Sequence, residues 1–416
     1  MEKTPGTTDK QKILERKGST KALKVGMHVL GRGRTDARVL REASALAQSG
    51  CEVWIIDIEI ERTRAPIEHI DGLHYKHIFL SSWNTPARFK AFFLLKLARA
   101  FLWGTVLLLR TPVDIYHAHE DNALVACYFA ALLRRKPLIF DAHELPLVSP
   151  QVTRWRRLHA LAVRVVRIIV ARCAAIISPS PPLIAELQKR YGGREAVLLR
   201  NLSPYQAPIS SNRLRERLGI DAHTHIALYQ GYLSRERGLD IIIRAARFLA
   251  ADSVIVLMGE GEGRPDLEAL IRQEGVEERV KMLPAVPYAE LLSWTASSDV
   301  GLIIYRAGSP NVPMMLPNKL FEYLMAGIPV LASPLAAVVE IVESYQVGRI
   351  VRSQEPEEIG QALTLLLNDT QARRQMRSHA LAASLHDLCW EKESHKLIQL
   401  YEDVMGVPLN RSVPAQ

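Results

Sequence analysis

The sequence predicts an α/β protein made of two parallel-sheet halves that face each other across a cleft. Short apolar runs alternate with helical patterns, which implies βαβ units. The runs lack in–out alternation, as strands buried on both faces do. The alternation breaks once, in a Pro/Ser-rich stretch, and then restarts. With 416 residues, 48% apolar and 23% charged, the chain is long enough for two full cores and too apolar for disorder.

Residues 1–20 are polar and charged with no apolar stretch, which predicts a disordered tail and not a secretory signal. Residues 23–30 (LKVGMHVL) read as a buried strand, 31–33 as a turn, and 36–50 as a helix opened by Asp36 and ended by Gly50. A second strand follows at 52–58, then strands at 113–117, 137–141 and 174–178 with helices between them. Residues 201–212 (NLSPYQAPISSN) read as a linker. Beyond it come strands at 226–229, 254–258, 280–283, 300–304 and 329–332, and helices at 239–249, 265–274, 288–296 and 319–326. The expected organisation is an N-terminal domain over 21–203, a C-terminal domain over 204–385, and a last segment, 386–416, whose helix returns towards the N-terminal domain.

A net charge of +9 calls for an acidic partner. The charge is uneven. Residues 81–110 carry Arg88, Lys90, Lys96, Arg99 and Arg110 and no acid, and residues 151–200 carry ten Lys/Arg against Glu186 and Glu195. Projected as a helix, residues 154–172 place their six arginines within an arc of about 160°. Two readings stand: a core helix with a solvated basic face, or a basic helix on anionic lipid. No stretch reaches transmembrane length; the nearest, 89–109, is interrupted by Lys96 and Arg99. The four cysteines are widely separated and show no metal-ligand spacing, which points to a reducing, cytoplasmic compartment and no zinc site. The basic segments are not interleaved with stacking aromatics, so nucleic acid is not the expected partner.

The most informative segment is 309–330, SPNVPMMLPNKLFEYLMAGIPV. Pro317 suits the first helical position, Gly327 the position past the end, and Pro329 forbids continuation. A short helix results, whose N-terminal N–H groups near Leu316–Asn318 make an anion site. Lys319 in the first turn is unfavourable unless an anion is present. Glu322, three residues on, shares its face and is placed to accept from ribose hydroxyls. The plain alternative is a surface helix with an ion pair.

This segment resembles the nucleotide-sugar signature of the group 1 glycosyltransferases (family 4, retaining, GT-B architecture). The resemblance runs from about Leu23 to Tyr401 and includes DARVLREASALAQSGCEVWII, VDIYHAHE, LIFDAHEL, LYQGYLSRERGLDIIIRA, VIVLMGEGEG and PNKLFEYLMAGIPVLAS. It implies two Rossmann-like domains, a nucleotide-diphosphate sugar as co-substrate, and no obligatory metal. Asp57 and Glu59 lie in an apparently buried strand and are not read as a metal motif.

By the same resemblance, Glu322 matches the second glutamate of an E-x7-E motif; Met314 stands where the first is expected, a departure read as a subgroup mark. Gly231 and Arg237 match a phosphate-binding G-R…K-G segment in which Tyr232 replaces the arginine and Arg237 the lysine, with Arg235 a substitute cation. Gly259 and Gly261 would let backbone approach the nucleotide, although a plain turn explains them equally well. Val286 lies on the expected base-contacting loop. Pro317, Asn318, Lys319 and Leu320 complete the donor side. His143 matches the active-site histidine, so His143, Glu322 and Arg237 are the catalytic candidates. Gly31, Arg32, Gly33, His119 and Glu120 are assigned to the acceptor side.

The expected reaction is retaining transfer of a sugar to a glycan or lipid-linked acceptor, as in surface polysaccharide or glycolipid synthesis. The basic segments 88–110 and 154–172 suggest attachment to the cytoplasmic face of an anionic membrane. Two alternatives remain: a nucleotide-sugar 2-epimerase of the same fold, and a catalytically silent, membrane-associated sugar-nucleotide-binding subunit.

Overall fold

The computed structural model describes residues 22–60, 64–80, 90–147, 156–194, 196–234, 237–306, 308 and 312–410. The expected tail at 1–20, Arg88, Arg154, Arg235 and parts of both basic segments lie outside the described residues.

Eight strands form the first sheet: β1 (Lys24–His28), β2 (Glu52–Glu59), β3 (Ile67–Ile70), β4 (Leu73–Phe79), β5 (Ile115–His119), β6 (Leu138–Asp141), β7 (Ala175–Ser178) and β8 (Ala196–Leu198). Their order is β3-β4-β2-β1-β5-β6-β7-β8. Strand β1 pairs in parallel with β2 and β5, whereas β3 and β4 form an antiparallel hairpin that the sequence reading did not list. The helices of this region are α1 (Ala37–Gln48), α2 (Lys90–Leu109), α3 (Glu120–Arg134), α4 (Arg156–Val170) and α5 (Pro181–Tyr191). Asp36 caps α1 by accepting from the N–H groups of Arg38 and Val39, and Gly50 beyond its end has φ +88°.

Six strands form the second sheet: β9 (His225–Gln230), β10 (Ser253–Met258), β11 (Val280–Leu283), β12 (Val300–Ile303), β13 (Val330–Ala332) and β14 (Gly348–Ile350). Their order is β11-β10-β9-β12-β13-β14, all parallel. Its helices are α6 (Arg213–Leu218), α7 (Leu239–Ala245), α8 (Arg264–Glu274), α9 (Tyr288–Thr295), α10 (Asn318–Met325), α11 (Ala336–Tyr345), α12 (Pro356–Asn368) and α13 (Thr370–His386). The long last helix is α14 (Trp390–Met405).

The unalternating strands have a direct explanation. Ile226 and Leu228 pack into one apolar cluster, while Ala227 and Tyr229 pack into another on the opposite face. Both faces are covered, so side chains of either parity are apolar.

By contact density the chain forms two compact units. One reaches to Phe140 and takes in the chain end from Glu402; the other is Asp141–Tyr401, which includes the 201–212 linker.

Candidate functional site

In the second sheet the strand order reverses between β9 and β12. Open α/β sheets bind ligands outside the carboxyl ends of their strands at such a point. Strand β9 runs into Gly231 there, β12 leads into Tyr305, and α10 starts close by. Tyr323 sets the position of α10: its hydroxyl donates to the Leu228 carbonyl at 2.8 Å and accepts from the Gln230 N–H at 3.1 Å. Gly301 makes room for that ring, since a Cβ there would lie 2.5 Å from it. Pro317 sits one position earlier than expected. It is the N-cap, with extended backbone (ψ 136°), and no side chain caps the helix. Gly327, with φ +69°, follows the C-cap as predicted.

Lys319 is the unusual residue. It is 8% exposed, and its Nζ has no hydrogen-bond partner. The ammonium lies 3.6 Å from the Tyr229 ring centroid and 6.0 Å from that of Tyr305. A Cβ on Gly231, whose φ is +128°, would stand 3.4 Å from Nζ. Burial lowers the Lys319 pKa well below the usual lysine value, Arg237 lowers it further, and Glu322 acts in the opposite sense. Arg237 donates from Nη1 to the Tyr305 hydroxyl at 2.8 Å, a neutral partner. Gly238 permits this approach: a Cβ there would lie 3.1–3.3 Å from the backbone of Tyr305 and Arg306. Two cations thus share an aromatic wall, one of them desolvated and without a hydrogen bond. Buried charge normally carries a partner, so the arrangement suits an incoming anion.

Glu322 is held by a chain of hydrogen bonds. Thr295 Oγ1 donates to Gln230 Oε1 at 2.7 Å, and Gln230 Nε2 donates to Glu322 Oε2 at 2.6 Å. Glu322 lines a small pocket with Ser203, Gln206, Tyr288, Leu291, Leu292, Thr295 and Met325. Ser203 Oγ and Tyr288 OH are 2.6 Å apart on that pocket. Sequence reasoning missed Gln230, Thr295, Tyr288 and the Tyr229–Tyr305 wall. One signal was present for Gln230: a polar residue closing an apolar strand just before Gly231.

Other predicted donor-side residues have varied settings. Gly259 and Gly261 let two loops touch: a Cβ would fall 1.8 Å from the Gly231 carbonyl oxygen and 2.2 Å from that of Leu233, respectively. Asn318 accepts from Asn201 at 3.0 Å, Leu320 is core, and Val286 packs half-buried against the same core. Tyr232 is exposed and donates to Glu262. The Met314 carbonyl accepts from Ser180 Oγ at 2.6 Å, and Ser180 is the N-cap of α5. His143 lies in the same unit, 15% exposed, with Nε2 3.0 Å from the buried Asp141 carboxylate.

The acceptor-side candidates in the first unit stand at the corresponding reversal, between β1 and β5. Gly33 donates its N–H to Asp57 at 3.0 Å. Arg32 pairs with Glu59 at 3.6 Å, and Arg34 with Glu59 at 3.5 Å and Glu68 at 3.1 Å. Asp57 and Glu59 are buried in β2, as expected. His119 is fully buried and stacks on His117 at 4.3 Å. Glu120 takes φ +64° at the strand–helix junction, a strained value of the kind found at working sites. Glu42, His117 and His119 are metal-ligating types. Arg38, however, holds Glu42 at 3.1 Å and supplies the positive charge a cation would bring.

The basic segments are helical where described. Helix α4 buries only Val166, Ile169 and Val170, and exposes Leu161, Val165 and Ile168 beside its arginines. Among the described residues no helix is long and apolar enough to cross a membrane.

Two family models match the chain: "Glycosyl transferases group 1" over residues 210–382 and "Glycosyltransferase Family 4" over 37–201. The chain is 24% identical over 399 residues to a D-inositol 3-phosphate glycosyltransferase of Xylanimonas cellulosilytica, covering 89% of this chain and 91% of that one. Among solved structures, it resembles sucrose-phosphate synthase from Thermosynechococcus elongatus with a TM-score of 0.76 at 17% identity, over 92% of this chain and 99% of that one. It also resembles the Anabaena protein HepE in complex with UDP-glucose, with a TM-score of 0.69 at 19% identity, over 92% and 100%. The fold is therefore the two-domain GT-B architecture that the sequence predicted.

Proposed function

The chain belongs to the group 1, family 4 glycosyltransferases, and from that premise we propose a retaining transferase that moves a sugar from a nucleotide-diphosphate donor to a glycan or lipid-linked acceptor. The observation that carries the donor assignment is the buried Lys319 ammonium, without a hydrogen bond, beside Gly231 and Arg237. A diphosphate supplies the missing counter-charge, with Arg237 adding forked donors and α10 its free N-terminal N–H groups. Glu322, held by Gln230, receives the ribose hydroxyls. The neighbouring pocket, with Tyr288, Leu291 and Leu292, takes the base.

In the proposed step the acceptor oxygen attacks the anomeric carbon on the face the diphosphate leaves. The sugar–phosphate C–O bond breaks as the sugar–acceptor C–O bond forms, and the acceptor proton passes to the departing phosphate oxygen. Lys319 and Arg237 stabilise the growing diphosphate charge in a site already shaped for it. His143, oriented by Asp141, faces the donor sugar, and Gly31, Arg32, Gly33, His119 and Glu120 serve the acceptor. Synthesis of surface glycan or glycolipid is the role we assign.

The test is a donor panel headed by UDP-sugars, the nucleotide in the HepE complex, with and without acceptor. We expect hydrolysis or transfer by the wild type, and at least about a tenfold loss in Glu322→Gln. Acceptor-free isomerisation of the donor would favour an epimerase instead. Nucleotide binding without turnover across the panel would favour a silent subunit.

A further inference from the structure

Helices α2 and α3 are built inside out. Globular helices put their large apolar residues against the core. Helix α2 instead buries Ala100, Gly104 and Leu108, one turn apart, and exposes Leu95, Leu102 and Trp103. Gly104 is so close to the sheet that a Cβ would lie 2.8 Å from His28 Nε2. Helix α3 comes close to the same arrangement: apart from Leu124 its inward residues are small (Ala123, Ala126, Cys127, Ala130, Ala131), while Phe129, Leu132 and Leu133 are 49–66% exposed. The Arg134 side chain donates to the Leu109 carbonyl and ties the C-terminal ends of the two helices together. Exposed apolar residues are ordinary singly; with Phe92 on α2 also exposed, seven on two joined helices mark a contact surface.

The surrounding charge says what the contact is. Arg99, Arg110, Arg134 and Arg135 are exposed, and no acid occurs between residues 90 and 113 or between 122 and 136. On α2, Leu95, Arg99, Leu102, Trp103 and Arg110 fall within an arc of about 100°. Apolar residues at the crest with arginines beside them match the acyl boundary and the headgroups of an anionic bilayer. The helix has 20 residues, about 30 Å, but among the described residues no helix is long and apolar enough to cross a membrane.

We propose that the exposed α2–α3 face docks the enzyme on an anionic lipid surface. This inference goes beyond the donor assignment, and its test keeps the two apart. The full chain is sedimented with vesicles of phosphatidylcholine alone and of phosphatidylcholine with roughly one-third phosphatidylglycerol, and nucleoside diphosphate binding is measured on the same samples. The wild type should bind the anionic vesicles, bind the neutral ones far less, and lose binding as salt rises. Leu102→Glu/Trp103→Glu should lose at least about tenfold, and Arg99→Gln or Arg110→Gln about fivefold each. Leu132→Glu, on the other helix, is the second variant should the first not fold. All should keep nucleotide binding. Equal binding to both vesicle types, no binding, or unchanged binding in the folded variants would overturn the proposal. So would self-association that those variants abolish, or loss of binding only in Leu161→Glu/Ile168→Glu on α4.

Discussion

The loop at Gly31 follows β1 in the first sheet as the loop at Gly231 follows β9 in the second, and both stand where the strand order reverses. On paper the two are alike: GRGRTD brings Arg32 and Arg34, and GYLSRERG brings Arg235 and Arg237. In the structure they differ. The first loop is neutralised from within: Arg32 and Arg34 pair with Glu59, Arg34 also reaches Glu68, and the Gly33 N–H is given to Asp57. Asp57 is bonded in turn to His77 at 2.5 Å. The second loop keeps Arg237 on the neutral Tyr305 hydroxyl and gains a further cation from α10, where Lys319 meets tyrosine rings and has no carboxylate bonded to it. Charge near a glycine loop is therefore a poor guide to anion binding until the carboxylates of neighbouring strands have been counted.

The largest expected effect falls on the second loop. Lys319→Met should lower donor turnover by about 100-fold, since a charge-assisted hydrogen bond to phosphate is removed at a desolvated site. The unliganded variant should nevertheless melt higher than the wild type. Lys319 has a depressed folded pKa, so at neutral pH the unfolded chain binds its proton more tightly, and folding works against that proton. A lower melting temperature would give the lysine a structural role.

Arg237→Gln should cost about tenfold in nucleotide diphosphate affinity, read by calorimetry. Its guanidinium is fixed by Tyr305 and is only half-buried. Arg237→Lys should not restore full binding, because the ammonium lacks the fork.

A pH titration sharpens the comparison further. The anion favours charged Lys319, so binding takes up a proton wherever the free site is neutral. Affinity should then fall as pH rises through the folded pKa of Lys319, which burial holds well below the usual lysine value. Lys319→Arg should flatten that slope. A flat wild-type profile would show the lysine charged throughout.

The smallest effect belongs to the first loop. Arg32→Gln should change nucleotide diphosphate affinity by less than about twofold, because its charge is already spoken for by Glu59. A large loss would instead place the first loop at the phosphate site.

Much of this was legible beforehand, for identifiable reasons. Gly50 and Gly327 punctuate helices because a left-handed residue is needed there, and a sequence shows such needs directly. Strands buried on both faces advertise themselves as apolar runs, and Pro317, Lys319 and Glu322 could be placed because they lie on one short helix. What stayed hidden depends on neighbours distant in sequence. Tyr229 ends one predicted strand and Tyr305 lies just past another, and only the sheet brings both to one ammonium. Gln230 reads as a strand end, and only α10 reveals it as the holder of Glu322. The α2–α3 face was read as a charged near-membrane stretch on α2 alone, because inside and outside cannot be told apart when both are apolar. Helices α11, α12 and α13 are not among the elements the sequence predicts.

The most direct test is calorimetric titration of a nucleoside diphosphate and of its parent nucleoside into the wild type and into Lys319→Met/Arg237→Gln. The account predicts that the wild type binds the diphosphate about 100-fold more tightly than the nucleoside, and that the gap closes in the double variant while nucleoside binding persists. Equal wild-type affinity for the two ligands, or undiminished diphosphate binding in the double variant, would contradict it.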